Sequence, residues 1–187
     1  IRLCDRLGLQ TNEKIEDLTF YNQEMEDYIS DYVSYVLEKF ASIKKECHDA
    51  IVLIEQKVAA VRYDESLFGS TDVAIIADKV VTIIELKYGR GVLVNARENT
   101  QEKCYGLCAM ETFGNLYDIE DINLCIFQPR LSNVSEWSLT VKELYKWADE
   151  ILKPGIEKIR AGSEEFHPSR HCVFCKAKPL CKALRNQ

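Results

Sequence analysis

Between Asp72 and Lys87 two apolar runs, V-A-I-I-A and V-V-T-I-I, are separated only by Asp78-Lys79. Two residues are room for a tight turn and nothing more, so the segment reads as a β-hairpin with strands at Asp72–Ala77 and Val80–Lys87. The second strand reads as buried, and it ends abruptly in Glu85-Leu86-Lys87. The first starts on Asp72 after a Gly-Ser-Thr turn. Antiparallel pairing brings the Asp72 and Glu85 ends to one edge of the sheet. Glu85 and Lys87, two apart, share a face, and Leu86 points to the other, into the core.

The rest of the pattern gives this hairpin its setting. Ala50–Ala60 reads as a preceding strand, with Tyr63–Gly69 a turn or loop. From Phe20 to Ile43 apolar residues recur at three and four, which predicts a long amphipathic helix. Asn99 with Glu102 three residues on is a capping-box spacing, opening a helix to about Phe113. Asp121–Gln128 is a further strand, stopped by Pro129. Thr140 with Glu143 opens another helix, which Pro154 breaks or kinks, with a last turn or two continuing to Ala161. The expectation is a single α/β domain over residues 1–187: a central mixed sheet flanked by helices. Residues 1–48 form a helical part, 50–128 a core, and 140–187 a helix with a Cys-rich tail.

At 187 residues and 47% hydrophobic, the chain has enough for a real core, and disordered or fibrous classes are excluded. No apolar run reaches the roughly 18 residues of a membrane span, and the first ten residues show no secretory pattern. Net charge is −6, but residues 170–187 carry five basic side chains and no acidic one, leaving the remainder at −11. An acidic whole argues against a passive nucleic-acid coat, not against an enzyme that grips phosphates locally. The basic tail is either such a grip or a solubilising terminus.

The eight cysteines are read as reduced thiols in a cytoplasm, some binding metal and the rest packed as small hydrophobes. Cys172, Cys175 and Cys181 have C-x₂-C-x₅-C spacing, which suits zinc or an iron–sulfur cluster. Three thiols are one ligand short. His171 completes a Cys₃His zinc site, and Cys4 at the far end of the chain is the other donor. Cys47, Cys104, Cys108 and Cys125 fall in helical or strand pattern and are assigned to the core. Phe174 and Trp147 can stack on bases, but are assigned to packing.

Two carboxylates, Asp72 and Glu85, and the Leu86 carbonyl are the hard oxygen ligands that Mg²⁺ or Mn²⁺ prefers, and Lys87 beside them can handle an attacking water or a developing oxyanion. The next helix adds Gln101 and Tyr105, four apart and pointing the same way. Solvated surface charges are the plain alternative for each piece alone.

Together G-S-T-D, I-I-E-L-K and Q-E-K-C-Y resemble the PD-(D/E)XK nucleases, and more narrowly the RecB-like exonuclease branch, whose third motif is Q-x-x-x-Y. The E-L-K-Y-G-x-G-V segment, the W-A-D-E-I-L-K-P helix and the H-C-V-F-C-K-A-K-P-L-C ending are similar to a phage and prophage family of predicted RecB-like nucleases, over roughly Gly69 to Leu184. The resemblance implies a restriction-endonuclease-like core and metal-dependent hydrolysis of DNA by an exonuclease of phage or prophage recombination or replication, in the cytoplasm of a bacterial host. Asp72 and Glu85 would be ligands, Lys87 the catalytic lysine, and Gln101 and Tyr105 substrate-side residues. Partners would be linear single- or double-stranded DNA ends, with a phage recombinase or single-strand-binding protein beside them. It also implies a 4Fe-4S cluster on Cys4, Cys172, Cys175 and Cys181, stapling the termini, with zinc at the last three and His171 as the alternative.

There is one departure. The branch carries a metal-binding His on its first helix, in a G-x-x-x-H context. This chain has only His48, His167 and His171. Glu55 on the first strand is the candidate substitute. The loss opens a second reading, a protein with the nuclease fold that grips DNA ends without cutting them. A zinc-stabilised interaction domain is a third. Gly89-x-Gly91 lacks the third glycine of a dinucleotide-binding turn, which excludes that class.

Overall fold

The structure is a computed structural model describing residues 1–185, the side chains of Glu16, Arg170 and His171 excepted. Five strands form one mixed sheet in the order β1-β2-β3-β4-β5: β1 Ile51–Ala59, β2 Phe68–Ala77, β3 Val80–Leu86, β4 Asp121–Gln128 and β5 Asn133–Thr140. All neighbours are antiparallel except β3 and β4, which run parallel. A parallel pair needs a crossover. The loop after β3 and α3, Thr100–Phe113, supply it.

The hairpin turns at Asp78-Lys79 as its spacing predicts, with Lys79 at φ 69°. Both of its strands are buried on both faces: Ile75, Ile76, Ile83 and Ile84 are fully enclosed. Each such side chain stabilises the fold by about 1.5–3 kcal/mol relative to exposure. Alternation sorts them. Val73, Ile75 and Ile84 face α2, Gln23–Glu46, with its buried Tyr32, Val33 and Val36. Ala74, Ile76, Val81 and Ile83 face α3 and Leu144 of α4, Val141–Trp147. A short helix α1, Arg2–Leu7, lies against α2 through Leu3.

Several expectations shift. The long helix begins at Gln23, capped by the Asn22 side chain on the Met25 N–H, so Phe20 lies outside it and is exposed. The second strand starts at Phe68 and not at Asp72, because Gly69, Ser70 and Thr71 pair with β1. Strand β5 alternates only in its second half, at Trp137 and Leu139, too short a run to announce it. Its inward side chains include Asn133 and Ser135, which hold the backbone of the loop between β3 and α3 at Val94 and Ala96. The Thr140–Glu143 capping box forms. Near Pro154, which lacks an N–H, the helix is disturbed and continues as expected: the turn widens to π geometry over Ala148–Leu152, and α5, Lys153–Arg160, carries on to its C-cap at Ala161. Cys108 and Cys125 are buried as expected, whereas Cys47 and Cys104 are only half-buried.

Candidate functional site

The site forms where β2 and β3 part company. Their pairing ends at Val73–Ile84. One step on, the Asp72 carboxylate takes the ladder's place and accepts the Leu86 N–H at 2.7 Å. Asp72 is in step with Ala74 and Ile76, and Glu85 and Lys87 with Val81 and Ile83, so all three fall on the α3 face. Leu86 packs on the opposite face with the α2 cluster. A strand residue's N–H and C=O point to the same edge, so the Leu86 carbonyl also faces the Asp72 side.

From Glu85 a chain of polar contacts crosses to α3. Lys87 Nζ meets Glu85 Oε1 at 2.7 Å and donates to Gln101 Oε1 at 3.1 Å. Gln101 Nε2 donates to the Tyr105 hydroxyl at 3.2 Å. The five side chains singled out in the sequence are thus brought to one end of the sheet. Asn99 fixes the start of α3 above them, its side chain accepting from the Gln101 and Glu102 N–H groups.

Burial sets the electrostatics. Desolvation pushes the Asp72 carboxyl up, against the pull of the Leu86 N–H and Lys87. It raises Glu85 too, opposed by the Lys87 contact and reinforced by Asp72. Glu85 is 6% exposed, and its Oε2 has no hydrogen-bond partner. On the far face the buried Tyr32 hydroxyl donates to the Ile84 carbonyl at 3.4 Å. Desolvation first, then Asp72 and Glu85, raise its ionisation well above the ordinary tyrosine range.

Glu102 escaped the sequence reading. The capping-box spacing sends its carboxylate back to the Asn99 N–H, but the structure forms only the Asn99 half of that motif. Glu102 is instead wholly enclosed, neither carboxylate oxygen has a partner, and desolvation pushes its carboxyl up to about 8, with Glu85 adding to the rise and Lys87 opposing it. The signal was in the helix period. Glu102, Gly106 and Met110 form an i, i+4 stripe, and all three are buried.

Glu55 is exposed, next to Asp72 in the β1–β2 register, and holds φ at 51°. A non-glycine residue in this left-handed region is strained, a feature that concentrates at functional sites. Burial first, then Asp72, raises its carboxyl.

Gly69 leaves room for the Tyr105 ring. A Cβ there would come within 2.7 Å of Tyr105 Cε1. Gly69→Ala therefore displaces the Tyr105 ring and breaks the Gln101–Tyr105 contact. We expect a loss of about 1–3 kcal/mol, read as a lower denaturation midpoint, and restoration of most of it in Gly69→Ala/Tyr105→Leu.

The cysteine tail is less assembled. Cys172 Sγ accepts the Ser169 N–H at 3.3 Å, and a backbone turn links Cys175 N–H to the Cys172 carbonyl. Cys4 sits in α1. Among the described residues no three His, Cys, Asp or Glu side chains gather as a metal-ligand set, so the predicted four-thiol group is not brought together here. The His171 side chain, the alternative fourth ligand, lies outside the described residues. Trp147 packs on the core beside the Lys103 ammonium, but Phe174, expected to pack, is 76% exposed.

Residues 5–187 match a family described as Protein of unknown function (DUF2800). The chain is also similar to the crystal structure of SSO0001, at 15% identity over 98% of this chain and 93% of that one, with a TM-score of 0.36.

Proposed function

The chain belongs to the DUF2800 family, and from its site we propose that it is a divalent-metal-dependent deoxyribonuclease acting on linear DNA ends. The observation that carries this is the convergence of Asp72, Glu85 and Lys87 on one face at the end of β3, continued through Gln101 to Tyr105.

The donor set fits a hard cation. Asp72, Glu85 and the Leu86 carbonyl would hold Mg²⁺ or Mn²⁺, and the unpartnered, buried Glu85 Oε2 is an oxygen that calls for one. Such an ion lowers the pKa of water and offsets charge on a scissile phosphate. Lys87, fixed by Glu85 and Gln101, orients the water nucleophile and stabilises the oxyanion that forms. Gln101 and Tyr105, near the start of α3, face the phosphate backbone. The Leu86 N–H holds Asp72 in place.

The test is direct. The purified chain should digest linear DNA in Mg²⁺ or Mn²⁺ and stop in chelator. The second reading, an end-binding protein that does not cut, has the missing first-helix histidine in its favour: α2 contains none. It predicts DNA retention without digestion in either metal. Digestion products, single- against double-stranded, would define the exonuclease mode and the fit to a recombinase or single-strand-binding partner.

The same reading assigns Cys4, Cys172, Cys175 and Cys181 to a 4Fe-4S cluster, supported by the thiol spacing and by the N–H on Cys172 Sγ. Anaerobically purified protein should be brown and carry about four irons per chain. A colourless chain with one zinc assigns the tail to the zinc site instead. Among the described residues no helix is long and apolar enough to cross a membrane, and a bacterial cytoplasm, where such thiols stay reduced, is the compartment we propose.

A further inference from the structure

Two arginines at the end of the sheet that carries Asp72 and Glu85 share one acid. The Lys87 N–H donates to the Phe127 carbonyl at 2.9 Å, so β3 and β4 leave the sheet side by side. Tyr88 and Arg90 follow the first strand, and Arg130 follows the second. Arg90 Nη2 meets Glu24 Oε1 at 2.7 Å, and Arg130 Nη2 reaches the same oxygen at 3.4 Å. Glu24 lies in the first turn of α2. The Arg130 guanidinium rests 5.1 Å from the centre of the Tyr88 ring, which in turn meets Tyr28 of α2 edge-on. Arg130 is thereby pinned: its side chain is 20% exposed, and its buried Nε has no hydrogen-bond partner among the described residues.

One carboxylate oxygen between two guanidinium groups leaves a net positive charge and most of their N–H donors unused. Planar guanidinium forks match phosphate oxygens, and stacking on a ring holds such a fork ready for them. The pairs that Glu24 makes are half-exposed, so they are weak and easily exchanged. We propose that Arg90 and Arg130 form a subsite for a phosphate of the DNA strand, and that Glu24 fills it as an internal stand-in until DNA displaces it. The ligand rests on the nuclease reading, which the subsite deepens: it holds the strand just past Lys87, and a strand that enters must first break the Glu24 contacts. The acid therefore lowers affinity for DNA, and its removal raises it.

The experiment measures binding of a labelled single strand of about 12 nucleotides to the full chain by fluorescence anisotropy. Chelator and about 0.1 M salt are present, so nothing is cut and distant charges are screened. Glu24→Gln should bind about fivefold tighter than wild type. Arg90→Gln should bind about fivefold weaker and flatten the slope of log affinity against log salt by about 0.7, one phosphate contact fewer. Both positions are exposed, so both chains should fold. Glu38→Gln removes the same charge from an exposed site about 21 Å further along α2, roughly two Debye lengths away, and should change affinity less than twofold. In Arg90→Gln/Arg130→Gln the gain from Glu24→Gln should vanish. Strands bearing a 5′-phosphate, a 3′-phosphate or neither tell an end phosphate from an internal one, according to which of them show the gain. Equal affinities in Glu24→Gln and wild type, a gain as large in Glu38→Gln, or a gain that survives the loss of both arginines overturns the subsite. Digestion in Mg²⁺ by the same preparations decides the nuclease reading separately: a chain with this binding pattern that never cuts keeps the subsite and loses the hydrolase.

Discussion

Asp72→Asn and Lys87→Gln should each lower the rate of the proposed linear-DNA digestion by about 10³-fold, the scale on which a single electrostatic group at a phosphate-transfer site acts. These variants are chosen for what they keep. The Asn amide oxygen can still accept the Leu86 N–H that Asp72 holds, so the end of the β2–β3 hairpin stays closed while a charge is lost. The Gln amide can still donate to Glu85 Oε1, which otherwise stands buried with no partner at all. Alanine at position 87 would mix two effects, because stripping the cation from a buried acid is destabilising in itself. The two losses should not add. If both residues serve one step, the double variant is about as slow as either single one. Digestion within twofold of wild type by either variant would falsify the assignment. Equal DNA retention by all of them, with digestion lost, places Asp72 and Lys87 in the chemistry and not in the grip.

How much of this was legible in the chain follows from how local each signal is. The hairpin is read from residues 72–87 alone, since a period of two and a two-residue turn leave no other arrangement. Once it is placed, the shared face of Glu85 and Lys87 follows from their spacing, and that of Gln101 and Tyr105 from the helix. Other features depend on what packs against them. Ser70 and Thr71 pair because β1 is there to pair with. Strand β5 owes its place to the β4 edge and to Asn133 and Ser135 holding a loop, so the polar first half of its inward face, before Trp137 and Leu139, defeats an alternation search. Glu102 was misread because the local rule for helix starts competes with the burial stripe, and burial won. The expected meeting of Cys4 with the tail, which the described residues do not form, is the least local of all, since it concerns two distant parts of the chain, and spacing within C-x₂-C-x₅-C says nothing about where α1 lies.

The buried acid makes a second large effect visible without any substrate. With metal removed by chelator, stability should fall as pH rises, by about 1.4 kcal/mol per unit between pH 6 and 7 and by less as the pH nears 8. The sign follows from where the proton sits. In the unfolded chain a glutamate gives up its proton near 4.5, whereas in the fold Glu102 holds it to about 8. Between those values the native state carries one proton more than the unfolded state, so each step up in pH favours unfolding. Above about 8 both states are ionised and the slope from this group ends. Asp72 and Glu85 are raised too, chiefly by burial, and act in the same direction. Glu102→Gln cannot ionise, so its stability between pH 6 and 8 should be nearly flat. At pH 8 it should exceed wild type by about 2 kcal/mol more than at pH 6, because the slope falls to half its value where the folded group is half ionised. Urea denaturation midpoints at pH 5, 6, 7, 8 and 9 measure both chains. Parallel curves would show that Glu102 is charged and solvated at neutral pH.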